Sequence, residues 1–313
     1  MLPVLSVVVP VFALILAGFV AGKTGKLGPN ASAEINRFVV WLALPAQLFN
    51  FTANSAWQTL WQPGFIIAFS VGCLAVYVPL LLYRRYRTGD WVAASFSGLS
   101  GSYSNTGYMG IPLCLLALGD EGLAPAVIAT LVVVCGLFGL AIIFIEFGKQ
   151  SHKPWHQIVW IVLKSLGKNP LLVAPIAGAA WSATGLQMIE PAQQFLSFLA
   201  AAASPCALVS IGLFLMQKSE TRATGVWSLT AIKLLIQPGI TWLVAGPILG
   251  LPIFWVQAAV LLSALPTGTG PFMLAQYYQA DGSAISRVVL QTTLGSLLTL
   301  SLIIWWINQT AGT

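Results

Sequence analysis

Charge is what this sequence has least of. Its 14 lysines and arginines and eight aspartates and glutamates make up 7% of 313 residues, against roughly 25% in an ordinary soluble domain. With 58% of residues in the hydrophobic set, that scarcity excludes a water-soluble globule. Histidine is confined to His152 and His156, which stand four apart beside Trp155. One helical turn could clamp a metal with such a pair, but no third ligand is near, and the segment reads as interfacial. The cysteines Cys73, Cys114, Cys135 and Cys206 stand singly, without metal-ligand spacing or an obvious pairing, and read as small packing residues. No cofactor or metal is implied. An intramembrane enzyme would need a nucleophile with its base, or a metal set. The apolar stretches hold no histidine, no paired acids and no His-Glu-x-x-His, so catalysis is not expected.

What remains is a series of long apolar stretches bounded by charge, because an unpaired charge is the costly group in hydrocarbon. A crossing takes about 20 apolar residues. Met1–Gly22 gives one and Phe38–Tyr83 two; Trp91–Gly119, Gly122–Ile145, Asn169–Ile189 and Pro191–Gln217 give one each. Gly225–Ala280 gives two and Val288–Ile307 closes a set of ten. The fold expected is an all-α polytopic membrane protein with the lipid bilayer as its solvent. Lys and Arg follow the first, third, fifth and seventh spans, as at Lys23, Arg84, Lys149 and Lys218. By the positive-inside rule that side is the cytoplasm and both termini face out. Residues 1–22 lack the preceding charge of a signal peptide. The +6 balance is a topology device, and no nucleic-acid partner is expected.

The chain also resembles itself. Trp91-Val92 and Trp255-Val256 are offset by 164, Thr106-Gly107 and Thr269-Gly270 by 163, Asp120 and Asp281 by 161, and Pro45 and Pro205 by 160. A near-constant offset points to a duplication: a first five-helix repeat over residues 1–150, a short cytoplasmic or interfacial connector over 151–168, and a second repeat over 169–313. An odd number of spans per copy inverts the second copy, the arrangement of many secondary transporters.

Both halves are broken at corresponding places. The fourth span carries Ser100-Gly101-Ser102-Tyr103-Ser104-Asn105-Thr106-Gly107 and then Pro112; the ninth carries Leu265-Pro266-Thr267-Gly268-Thr269-Gly270-Pro271. Glycine costs about 1 kcal/mol and proline about 3 in a helix interior, so each span is expected to unwind near mid-membrane. Two kinked but continuous helices are the alternative. Unwound backbone at that depth must line a cavity or be buried in protein. Where a helix restarts, its free N–H groups and dipole suit a carboxylate. Pro112 and Pro271 stand where second half-helices could begin, and Pro266 lies within the ninth-span break. Asn105, Thr106, Thr267 and Thr269 are the expected hydrogen-bond donors to a small organic anion. Gly107, Gly268 and Gly270 let backbone approach it. Gln47 and Asn50, after Pro45, face the crossing from the second span or else bond between packed helices.

These residues resemble the auxin efflux carrier family of plant and bacterial membrane transporters. The resemblance rests on Ile35-Asn36-Arg37-Phe38-Val39 with Pro45, Asn105-Thr106, Met109-Gly110-Ile111-Pro112-Leu113, Ser210-Ile211-Gly212-Leu213-Phe214, Ala264-Leu265-Pro266, Gly268, Pro271-Phe272, Ala275 and Tyr278. It implies a ten-helix inverted-repeat fold with broken spans 4 and 9 crossing in an X, a homodimer, a place in the bacterial inner membrane, and Asn105 as the family's site asparagine. It also implies elevator-like movement against a scaffold of spans 1, 2, 6 and 7. Two departures stand out. The span 5–6 connector is short, Lys149–Lys168, and Leu171 occupies a place where plant carriers have a polar residue.

Coupling follows from what is missing. All eight acids, Glu34, Asp90, Asp120, Glu121, Glu146, Glu190, Glu220 and Asp281, lie near span ends, so no carboxylate is expected at the crossing to carry Na⁺ or H⁺. Movement driven by the membrane potential is expected, with ion-coupled symport or antiport and an anion channel as the alternatives. Lys233 and Arg287 are read as snorkelling to headgroups, the other reading being an entry funnel for anions.

Overall fold

A computed structural model describes residues 2–55, 57–149, 155–216 and 225–310. These residues are helical almost throughout. By length and composition, five of their helices can cross a membrane: Gln58–Thr88, Asp120–Lys149, Glu190–Met216, Val226–Ile248 and Ser283–Thr310. Shorter apolar helices run over Val8–Lys23, Thr106–Leu118, Pro170–Ala183 and Ile253–Ser263.

Prolines are absorbed in a recurring way. Pro45, Pro112 and Pro238 each sit at the second residue of a helix that directly follows a π turn, at Val39–Ala43, Thr106–Gly110 and Ile232–Ile236. A π turn loosens the ladder where the proline ring would clash and its missing N–H would leave a gap. The spans therefore pass proline without ending.

The helices pack as two groups. Leu2–Lys23 lies along Glu190–Met216, which also covers residues 31–53; Leu44–Ala53 packs on Pro170–Ala183. The first of these contacts is close because Gly18 faces the Val209 carbonyl oxygen and Gly212 faces that of Ile15, leaving no room for a side chain at either. In the other group Pro63–Thr88 packs on Trp91–Ser102 and on Gln237–Leu243, which in turn covers Ile253–Ser263; Val226–Ala231 lies on Ser283–Thr310. The first group holds the expected spans 1, 2, 6 and 7. It meets the other through Thr106–Gly110 and Ile111–Leu118 and through the packing of Leu2–Lys23 on Ser283–Thr310.

The connector contains a helix, Trp155–Gly167, whose Val159, Trp160 and Leu163 are exposed beside the exposed His156 and Lys164. That amphipathic make-up suits an interfacial segment. His152, and with it the histidine pair, lies outside the described residues, as do Lys153, Lys218, Glu220 and Arg222.

Both expected breaks are present. Trp91–Ser102 gives way to extended backbone at Tyr103 before helix resumes at Thr106. Ile253–Ser263 ends well before the helix Gly270–Tyr277. Continuous kinked spans are excluded. One expectation needs correcting: the fourth span restarts at Thr106, with Asn105 in the cap position, so Pro112 lies inside the second half and does not open it. Pro271 is the second residue of its half-helix, as expected.

Candidate functional site

The two breaks meet. Ser104 and Thr267 pair as an isolated antiparallel bridge; the Asn105 N–H donates to the Pro266 carbonyl and the Gly268 N–H to the Tyr103 carbonyl, each at 3.0 Å. Backbone groups freed by unwinding thus satisfy one another, as apolar surroundings require. Hydroxyls ease the end of the first half-helix: Ser100 and Ser102 donate to the carbonyls of Phe96 and Gly98, each at 2.8 Å. The Asn105 carbonyl then accepts from Met109 at 3.1 Å and Gly110 at 3.0 Å, closing the wide first turn of the second half.

Beside the crossing is a cavity of about 310 Å³, the small end of the range for small-molecule sites. One wall is the two restarts, with Asn105, Thr106, Gly107 and Tyr108 from the fourth span and Thr269 and Gly270 from the ninth. The facing wall comes from the other helix group, with Val40, Trp41, Leu44, Pro170 and Leu171; the exposed Lys168 also lines it. Among the described residues no carboxylate lines it. The Asn105 amide, the Thr106 and Thr269 hydroxyls and the Tyr103 phenol have no hydrogen-bond partner among the described residues. They are donors that border the cavity.

Of the residues singled out in the sequence, Asn105, Thr106, Gly107, Thr269 and Gly270 come together here. Thr267 and Gly268 do not line the cavity. Both are fully buried in the crossing, where the Thr267 hydroxyl donates to the Ser100 carbonyl at 2.7 Å and its N–H to the Thr292 hydroxyl at 3.0 Å. Gln47 and Asn50 lie further along the second span and do not line the cavity either; the Asn50 side chain accepts from Asn54 at 3.1 Å. The glycines divide as well. A methyl group on Gly270 would lie 2.6 Å from Cζ of Tyr103, and one on Gly268 3.0 Å from its Cε1, so both serve the packing of that ring. Around Gly107 the nearest atoms are 3.7 Å away.

Sequence reasoning missed three features. Tyr108 donates to the Asn36 carboxamide oxygen, and the Asn36 amide lies 3.4 Å from Sδ of Met273. One side chain of the second span therefore touches both restarts. Glu146, placed at a span end, is buried and accepts from the Tyr278 hydroxyl at 2.7 Å. The third feature overturns an expectation. Lys233 does not snorkel: it is 0% exposed and donates from Nζ to the Ser263 carbonyl at 2.7 Å and to the Ser104 hydroxyl at 3.0 Å. The stripe Thr230, Lys233, Gln237 and Thr241 on one helical face was the available signal, since polar residues in a span turn inward. All four are buried. Arg287, by contrast, is partly exposed.

Among the described residues no cluster of three His, Cys, Asp or Glu could hold a metal ion. The sequence matches the family described as "Membrane transport protein" over residues 3–304. It is 29% identical to a protein of Rhizobium meliloti named "Putative malonate transporter", over 99% of this chain and 98% of that one. It is 26% identical to an uncharacterized transporter of Methanocaldococcus jannaschii, over 96% and 98% of the two chains. With auxin efflux carrier component 8 of Arabidopsis thaliana it shares 24% identity over 92% of each. A match of this extent, on a chain with helices fit to cross a membrane and a solute-sized cavity between them, places the protein in the auxin efflux carrier family of membrane transporters.

Proposed function

We propose that the protein moves small organic anions across the cytoplasmic membrane by alternating access, with the cavity at the crossing as the place where the solute rides. The observation that carries this is the make-up of the cavity wall: two helix restarts and four donors that, among the described residues, have no partner and no carboxylate beside them on the wall. Helix N-termini favour negative charge, and nothing on the wall repels it. The helix grouping supports an elevator, in which the crossing and its helices move against spans 1, 2, 6 and 7. Ten spans in two inverted repeats, over 1–150 and 169–313 about the short connector, agree with equivalent breaks at an offset near 163. The same proposal takes the protein as a homodimer with outward termini.

A relative named for malonate and another named for auxin frame the solute class. Lys168 on the cavity wall and the apolar Leu171 support a dicarboxylate of malonate size over an indole-like monocarboxylate. The deciding experiment is a thermal-shift panel of mono- and dicarboxylates on purified protein, then uptake into proteoliposomes at clamped voltage. Saturable uptake of a stabilising dicarboxylate without a Na⁺ or H⁺ gradient is expected. A strict need for either gradient would make it an ion-coupled carrier; single-channel conductance without saturation would make it a channel.

A further inference from the structure

A buried ammonium is expensive and is retained for a purpose. Lys233 has no carboxylate within ion-pair reach among the described residues. Its partners instead belong to the crossing. The Ser263 carbonyl that accepts from it ends the first half of the ninth span. One turn on, Gln237 donates from Nε2 to the Ser102 carbonyl at 3.0 Å, and Ser102 ends the first half of the fourth. A single helical face therefore caps both outgoing half-helices, whose C-terminal carbonyls carry partial negative charge. The other Lys233 bond reaches Ser104, and Ser104 lines the cavity. The positive charge stands one hydroxyl behind the wall on which Asn105 and Thr106 present their donors.

We propose that Lys233 is the specificity-determining cation of the transport site, a role that rests on the anion-carrier function proposed above. The cavity has behind it a cation that no described acid neutralises, and an anionic solute supplies the compensation. At the crossing the solute meets neutral donors backed by this charge, so the Lys233 ammonium attracts it without forming an ion pair that must later break. The charge belongs to one half of the chain. The offset of 160 that relates Pro45 to Pro205 relates Cys73 to Lys233, and Cys73 contributes only a thiol, 3.4 Å from Nε2 of Gln237.

The test compares wild-type protein with Lys233→Gln and Cys73→Asp in nanodiscs, measuring binding of two matched pairs: malonate against malonamide, and indole-3-acetate against indole-3-acetamide. Lys233→Gln keeps a donor but removes the charge. Cys73→Asp leaves the lysine in place and gives it a counter-charge, so one variant speaks even where the other fails to fold. Wild type is expected to prefer one of the carboxylates over its amide. Each folded variant is expected to lose that preference by about tenfold or more while binding the amide as before. A purely structural lysine would lower carboxylate and amide together, which overturns the proposal, as does a preference that survives in both variants. A wild type that shows no preference for either carboxylate defeats the anion-carrier function itself, a result seen before any substitution is made.

Discussion

The backbone N–H of Asn105 donates to the carbonyl of Pro266 at 3.0 Å, so the residue that closes the break in one span is fastened to the break in the other. Its backbone is committed to the crossing while its side chain has no partner among the described residues and borders the cavity. Asn105→Ala should therefore spare the fold and remove a solute contact. A hydrogen bond to a charged group contributes about 1.5–3 kcal/mol, so affinity for a transported carboxylate should fall about ten- to a hundredfold. Expression and oligomer content should stay unchanged. Normal uptake by this variant would exclude Asn105 from the site.

Tyr108 and Asn36 join the moving and stationary helix groups of the proposed elevator. Removing the phenol oxygen in Tyr108→Phe should lower the cost of parting them by about 1 kcal/mol. The turnover rate in proteoliposomes should rise about fivefold, with KM within a factor of two. A changed KM at constant rate would instead put Tyr108 in contact with the solute.

Gly107 and Gly270 should respond differently to a methyl group. Gly270→Ala drives Cβ into the Tyr103 ring and should lower the melting temperature along with transport. Gly107→Ala meets nothing closer than 3.7 Å and should melt as wild type, while the narrower cavity favours small over bulky carboxylates. Competition binding with malonate and phenylmalonate would read the second effect.

Potential should suffice as the driving force. One charge moved through 100 mV is worth about 2.3 kcal/mol, roughly a fifty-fold gradient for a monovalent anion. In vesicles with a potassium diffusion potential and matched Na⁺ and pH on both sides, accumulation should follow the sign of the voltage and collapse when it is shunted. Accumulation unaffected by the shunt would contradict charge movement.

Asp281, exposed ahead of the last helix, accepts from the Ser283 N–H at 2.9 Å, and that bond holds its carboxyl below the usual carboxylate range. The folded form thus favours the ionised acid. Its contribution is present above the ordinary carboxylate pKa and is lost as pH falls through the lowered value. Asp281→Ala should lower the melting temperature slightly at neutral pH, and by less as the buffer is acidified below pH 4. An equal loss at both ends of the series would show that charge is not involved.

The sites of the breaks were legible because Gly, Pro and Ser are local signals, and Ser100–Pro112 and Leu265–Pro271 hold them densely. The restart at Thr106 was not, since a π turn depends on how the chain relieves Pro112 and no residue type marks it. Asn105, Thr106 and Thr269 could be placed in the site from their nearness to a break. Thr267 and Gly268 have the same nearness but are taken up by the crossing itself, the Thr267 hydroxyl by the Ser100 carbonyl and the Gly268 N–H by the Tyr103 carbonyl, partners that lie far away in the sequence. Lys233 was misplaced for a related reason. Depth along a span is readable from sequence, but the direction of a side chain depends on which neighbour covers that face. Here the neighbours are Ser104 and Ser263, 129 and 30 residues away.

The pairing of Ser104 with Thr267 makes the two interruptions hostages of each other. Were mutation to restore a continuous helix in the fourth span, the carbonyl of Pro266 and the N–H of Gly268 would be stranded in an apolar interior. Neither break can drift alone, so change in this transporter must come to both strands of the crossing together or leave it whole.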